Sequence, residues 1–199
     1  MPDILPRQME EQEPDRQEEE HGESASYFAR WTDRYKEARE YLYGTMEKEP
    51  DEEAAHEIML EEAEQGNAYA MHDMGKIYAQ GIGCEADKEM ADVWYKKALA
   101  AMHYVEQKKR NTYLEYRIGK MYQYGLGTDE NLEQAAEWFS KAAAKEHKYA
   151  LYSLGMLYLQ GKGVEQDEDT AYSLLFRSYS KGNPYAAYEL GKLYETGCG

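Results

Sequence analysis

The chain has 199 residues, with 39 acidic against 23 basic side chains and a formal net charge of −16. That length allows one large domain or two small ones, and the acid excess argues against nucleic acid or anionic lipid as a surface-wide partner, because the long-range field repels phosphate. Two cysteines, Cys84 and Cys198, are too few for a disulfide-stapled secreted scaffold, and no apolar run approaches the roughly 20 residues of a membrane span. With no signal-peptide pattern at the start either, a cytoplasmic protein is expected. Tyrosine stands out, with 20 Tyr against 3 Phe and 3 Trp, which suits half-wet surfaces between packed elements.

The stretch MPDILPRQMEEQEPDRQEEEHGES carries nine acids, two bases and three prolines, with no aromatic residue. It offers too little apolar surface to offset its ordering entropy, so residues 1–25 read as a disordered acidic tail. Glu18, Glu19, Glu20 and His21 have no framework to fix ligand geometry and are read as solvated, not as a metal cluster.

A repeat organises residues 26–199, as a degenerate unit over 33–67, units over 68–110, 111–146 and 147–182, and an incomplete unit over 183–199. Four segments superpose: AYAMHDMGKIYAQGIG, TYLEYRIGKMYQYGLG, KYALYSLGMLYLQGKG and PYAAYELGKLYETGCG. Gly75, Gly119, Gly155 and Gly191 are spaced 44, 36 and 36 apart. Asp51, Asp87, Asn131 and Asp167 open the second block of each unit at spacings of 36, 44 and 36. Asn67, Asn111 and Asn183 stand where an N-cap precedes the first block, and Pro184 takes the favoured first helical position. The first glycine of each pair, Gly81, Gly125, Gly161 and Gly197, supplies a left-handed helix stop. Apolar spacing at Met74, Ile77 and Tyr78, then Ala91, Trp94, Tyr95 and Ala98, makes both blocks helical. Small residues such as Gly75 and Ala91 mark close helix approach, and no segment reads as a strand. The second unit carries eight extra residues within ALAAMHYVEQKKRN, which predicts two added turns and an overhanging second helix. Lys108, Lys109 and Arg110 close that helix and complement its C-terminal dipole.

This pattern resembles the Sel1-like repeat family, relatives of tetratricopeptide repeats, most closely at ALYSLGMLYLQGKGV and AAEWFSKAAA. Cys84 and Thr128 depart from it, replacing the usual Val. The resemblance implies an all-α solenoid of antiparallel helix pairs over about residues 35–199. The runs YFARWTDRYKEAREYLYG and IMLEEAEQGNAYAMHDMGKIYAQGIGCEAD further resemble the repeat region of bacterial mobilisation relaxases. That likeness implies a conjugative, plasmid-mobilisation setting and no chemistry. The five histidines are scattered, so a nicking site is not expected.

No catalytic motif is present. The GxG pairs follow helices and lack the third glycine of a dinucleotide loop, and C-x-x-C, H-E-x-x-H and G-x-S-x-G are missing. Cys84 and Cys198 lie three repeats apart, too far to bond within one regular solenoid. No cofactor or metal is expected, and a hydrolase using scattered carboxylates or a DNA-contacting accessory domain are the alternatives to a scaffold. Positions two, five and nine from each first-helix cap share one face. They read Tyr69, His72 and Lys76; Tyr113, Tyr116 and Lys120; Tyr149, Tyr152 and Met156; Tyr185, Tyr188 and Lys192. In tetratricopeptide-type solenoids that face lines the concave groove. A non-catalytic scaffold binding a protein or peptide segment there is the expectation, with Tyr116 and Tyr152 central and the acidic tail one candidate ligand. Tyrosine at position five also belongs to the repeat pattern and can pack between helices. The chain stops midway through a unit, which predicts uncovered Leu190, Leu193 and Tyr194. It is expected to be a fragment, or to have that end covered by a partner or by self-association.

Overall fold

The computed structural model describes residues 27–45 and 49–196. The expected acidic tail, the Glu18–Glu20 and His21 run, Gly197 and Cys198 lie outside them. Within the described residues the fold is all-helical, in antiparallel pairs: α1 (Asp33–Tyr43) with α2 (Glu52–Glu64), α3 (Ala68–Gln80) with α4 (Lys88–Lys108), α5 (Thr112–Tyr124) with α6 (Leu132–Ala144), α7 (Lys148–Gln160) with α8 (Glu168–Ser180), then α9 (Pro184–Thr196). Each pair buries its apolar stripes against its own partner and against the pair before it, as neither stripe is covered alone.

The caps explain the boundaries. Asp51, Asp87, Asn131 and Asp167 each accept a first-turn backbone N–H, as do Asn67 and Asn111 on the first helices. The Asn183 side chain accepts from the Tyr185 N–H at 3.1 Å. At the fourth cap the residue is His147, whose Nδ1 accepts from the Ala150 N–H at 3.2 Å. Gly81, Gly125 and Gly161 stop α3, α5 and α7 in the left-handed conformation.

Close approach sets the pair geometry. A Cβ on Gly75 would lie 2.5 Å from the Tyr95 ring, so only glycine lets α3 settle onto α4 there. The second glycine of each turn does the equivalent work between pairs. Gly83 rests on the backbone of Glu52 and Gly163 on that of Leu132, each the first residue after a cap. Gly127 instead rests on Tyr95, the eighth residue after the Asp87 cap. The cause is α4, which runs 21 residues where the other second helices have 13. The third unit is therefore carried seven positions along α4, about 10 Å at 1.5 Å per residue. The expected overhang exists, and it is the N-terminal end of α4 that projects past the next turn. Met90 and Val93 are exposed there.

Two features depart from expectation. Leu190 and Leu193 are not uncovered: α8 supplies Leu175 beneath them, and Tyr152, Met156, Leu159 and Tyr172 pack round the same cluster. Tyr194 does stay exposed, its hydroxyl 2.5 Å from that of Tyr172. Residues 27–32 form a strap ahead of α1. Phe28 donates its N–H to the Gly66 carbonyl at 3.0 Å and accepts from the Ala68 N–H at 2.7 Å, while the Asn67 amide donates to the Arg30 carbonyl at 3.1 Å.

The glycine contacts predict a clear contrast. Gly163→Ala adds left-handed strain (φ +70°) and a backbone collision, and should cost about 3 kcal/mol or more in urea unfolding. Gly182→Ala carries the same kind of φ (+77°) with open space around it, and should cost only about 1 kcal/mol.

Candidate interaction face on the first helices

The twelve stripe residues share a face but not an environment. In the second half of the molecule, rings meet from position five of one unit to position two of the next: Tyr116 with Tyr149 at 6.1 Å and Tyr152 with Tyr185 at 6.3 Å. At the slipped junction, position two meets position two, Tyr69 against Tyr113 at 5.4 Å. Tyr69, His72 and Tyr113 are buried, Tyr116 is only 3% exposed and Lys120 only 7%. Tyr149, Tyr152, Met156 and Tyr185 are half-buried, while Tyr188 is 67% exposed. The lysines are held locally. Lys76 and Lys120 donate to the phenols of Tyr43 and Tyr124, each at 3.0 Å, and Lys192 pairs with Glu189 at 2.6 Å.

Beneath the closed half lies a charge network at position six, one place beyond the stripe. Successive units put Asp73, Arg117, Ser153 and Glu189 there, all buried. Asp73 and Arg117, each 1% exposed, meet at 2.9 Å across the slipped junction. Arg39 of α1 approaches the other Asp73 oxygen at 3.6 Å, and the Tyr35 hydroxyl donates to it at 2.7 Å. Arg117 also donates to the Tyr113 hydroxyl at 3.1 Å. His72 Nδ1 lies 3.1 Å from Asp73 and 2.8 Å from Arg117. With Nδ1 protonated the ring donates to Asp73; with the proton on Nε2 the same nitrogen accepts from Arg117. Rings enclose the group: Arg39 lies 5.0 Å over Trp31, and Arg117 lies 5.7 Å over Tyr69.

Burial alone would raise the Asp73 pKa. The Arg117 charge, the His72 hydrogen bond and Arg39 outweigh it and hold the carboxyl well below its ordinary value. Burial, then the Asp73 charge, pushes the Tyr35 phenol up, so it stays a donor. This is an ionised, clamped carboxylate and not a proton carrier. At the next junction His147 sits among Tyr113, Tyr116 and Tyr149, closest to Tyr116 at 4.8 Å. Burial, helped by the Lys148 charge, lowers its pKa to about 4, which keeps Nδ1 an acceptor for the cap. A shallow recess lined by Glu133, Ala136, Lys141, Leu154 and Tyr158 shares no residue with the stripe. Among the described residues no cluster of three or more metal-ligating side chains occurs, and no helix is long and apolar enough to cross a membrane.

Stacked antiparallel helix pairs with a common side-chain face define an α-solenoid of the tetratricopeptide kind. The Sel1 repeat model matches residues 35–67, 68–101, 113–147, 148–183 and 184–198, and the chain belongs to that family. It is similar to c5321, a protective antigen of uropathogenic Escherichia coli with an SLR fold, at 29% identity and a TM-score of 0.55, over 82% of this chain and 33% of that one. A Sel1 repeat protein from Oxalobacter formigenes is similar at 25% identity and a TM-score of 0.57, over 81% of this chain and 62% of that one. This chain thus spans about a third of the first and under two thirds of the second. No curated protein matches it. The Sel1 fold is typically a protein-interaction scaffold and generally non-catalytic.

Two stability tests follow from the buried groups. Arg117→Met leaves the Asp73 charge undercompensated and should cost about 3–5 kcal/mol in urea unfolding. The His147 value is lower folded than unfolded, so its contribution is complete above about pH 6.5 and is lost as pH falls toward 4. A shift of that size is worth about 3 kcal/mol. Asp73 joins only below the unfolded carboxyl value, near pH 4. His147→Asn supplies the cap residue the other units use, and should flatten the decline between pH 6.5 and 4 while leaving the lower step.

Proposed function

We propose that this chain is a non-catalytic scaffold that holds a peptide or protein segment along the first-helix face. The observation that carries the reading is the half-exposed row Tyr149, Tyr152, Tyr185 and Tyr188, whose rings line successive units with Lys148 and Lys192 beside them. Such rings offer broad apolar contact with hydrogen-bonding tips at low entropy cost, and the lysines add local positive charge to an acidic molecule. The binding half is then the open one, and Tyr116 acts from beneath it by holding His147 and Tyr149. The buried Asp73 carboxylate is bracketed by two guanidiniums, which favours a structural role over hydrolysis. The likeness of the N-terminal units to mobilisation relaxase repeats makes the protein machinery of conjugative transfer the first place to seek the partner.

Tyr152→Ala with Tyr188→Ala should weaken binding of a captured partner by about 1–3 kcal/mol with helix content unchanged. Lys192→Gln should mainly slow association and reduce its salt dependence. Equal capture by wild type and folded double variant, in pull-downs from the native cell, would refute the face as the binding surface.

A further inference from the structure

We infer that the α8–α9 edge is a self-association surface. On it a second copy of this chain sets its Phe176 and Tyr179 rings over the bare Gly191 face of α9 and receives the same contact in return. None of these three residues belongs to the tyrosine row. Three observations carry the proposal.

The first is an open socket. Inside the other pairs, a side chain of the second helix sits on the repeat glycine of the first. A Cβ on Gly75 would lie 2.5 Å from the Tyr95 ring, and one on Gly119 would lie 2.6 Å from the Phe139 ring. At Gly155 the neighbour is Leu175, at 3.1 Å. Among the described residues, no heavy atom outside α9 lies within 4 Å of that point on Gly191. A ring over a glycine closes α3 on α4 and α5 on α6, and α9 offers the glycine without the ring.

The second is a matching knob. Counted from the caps, positions nine and twelve hold Leu60 and Ala63 in α2, and Ser140 and Ala143 in α6. Both alanines are buried, and the Ala143 carbonyl accepts from Arg177 of the following pair. In α8 the same positions hold Phe176 and Tyr179, both exposed. Rings of that size would keep a further pair from settling at the regular spacing, so this face is not shaped for one more unit. The Phe176 ring stacks on Tyr172, with centroids 6.2 Å apart and 16° between planes, and Tyr172 meets Tyr194 of α9 at 6.0 Å. Ring and glycine thus stand on neighbouring helices of one edge, the self-complementary arrangement that a two-fold axis needs.

The third is charge. Two copies, each at −16, resist contact wherever carboxylates face each other. The run from Thr170 to Tyr188 is the longest in the sequence without Asp or Glu, and its two cations, Arg177 and Lys181, both pair with Glu146. Phe176, Tyr179 and Tyr194 are each about half exposed. At 150–250 Å² a ring they offer about 300 Å² per copy, against roughly 800 Å² per partner in a standard interface. With the flanks of α8 and α9 added, that area supports a reversible, micromolar pair and not an obligate one.

Sedimentation velocity of the full chain over about 2 to 500 μM should show a reversible monomer–dimer equilibrium. Gly191→Leu fills the socket while replacing a helical glycine by a better helix former. Its thermal unfolding should hold or rise while the dimer weakens at least tenfold. Phe176→Gln, at an exposed site, should weaken the dimer as much with the fold unchanged. Val93→Gln removes an exposed apolar side chain from α4 and should leave the dimer as in wild type. Raising salt from about 50 to 500 mM should tighten the pair, because it screens repulsion between like-charged copies. A wild type that stays monomeric throughout overturns the proposal and leaves the edge to a different protein. A dimer indifferent to Gly191→Leu and Phe176→Gln, or one lost with Val93→Gln, places the contact elsewhere and overturns it too. Assemblies that grow past the dimer with concentration would rule out the two-fold exchange.

Discussion

At three junctions of this solenoid a left-handed glycine lays turn backbone directly on the second helix of the preceding pair. Gly83, Gly127 and Gly163 all meet backbone there, so no side chain can be interposed to adjust the spacing. The contact therefore fixes how far along that helix the next pair stands. At the two flanking junctions the turn settles on the first residue past a cap. At the middle junction it settles on Tyr95, because the chain follows α4 through two more turns before it can reverse. The eight-residue insertion is thus absorbed as a slip between otherwise similar units. That slip changes the pairing of the stripe from five-to-two to two-to-two, and it sets Arg117 against Asp73.

Much of this architecture was legible in the chain. The Asp and Asn caps, the left-handed glycines and the continuous, lengthened α4 follow from local chemistry that needs no tertiary information. The end of α4 that overhangs did not follow, since it depends on where a neighbouring turn finds backbone to rest on. The network at position six was half visible. Asp73 and Arg117 break an apolar helical pattern at one register position in adjacent units, which is a signal for a buried pair. Knowing that they meet requires the slip. The cap at His147 breaks the asparagine pattern and was visible too, although its cage of rings was not. The strap at 27–32 was missed because a short extended segment has no helical period. The burial of Leu190 and Leu193 was misjudged because α8 alone, flanked by Tyr152 and Met156, covers them.

On the proposed reading, the two halves of the first-helix face divide the work of rigidity and contact. Around Asp73 the cost of removing three charges from water is offset only by well-aligned partners, so the network tolerates little movement among α1, α3 and α5. The aromatic walls of Trp31, Tyr35, Tyr69 and Tyr113 exclude water and raise the penalty for misalignment. Beyond His147 the face changes character: Ser153 replaces the charge at position six, Glu189 in the last unit pairs only with Lys192 of its own helix among the contacts described, and the rings rise toward solvent up to the exposed Tyr188. A surface that must accept a segment needs apolar area it has not already buried, and that area lies beyond the Asp73 network that clamps α1, α3 and α5.

The same division explains why an acidic protein keeps its cations where it does. Spread over the outer surface, four basic side chains would do little against an excess of carboxylates screened by salt. Gathered on one face among phenols and indole, Arg39 and Arg117 clamp the Asp73 carboxylate, while Lys76 and Lys120 rest over the Tyr43 and Tyr124 rings. On the proposed reading a partner is held by the aromatic contacts of the open half. Buried charge then fixes the helices at one end of the face, and the tyrosine row gives the other end the uncommitted area a bound segment would need.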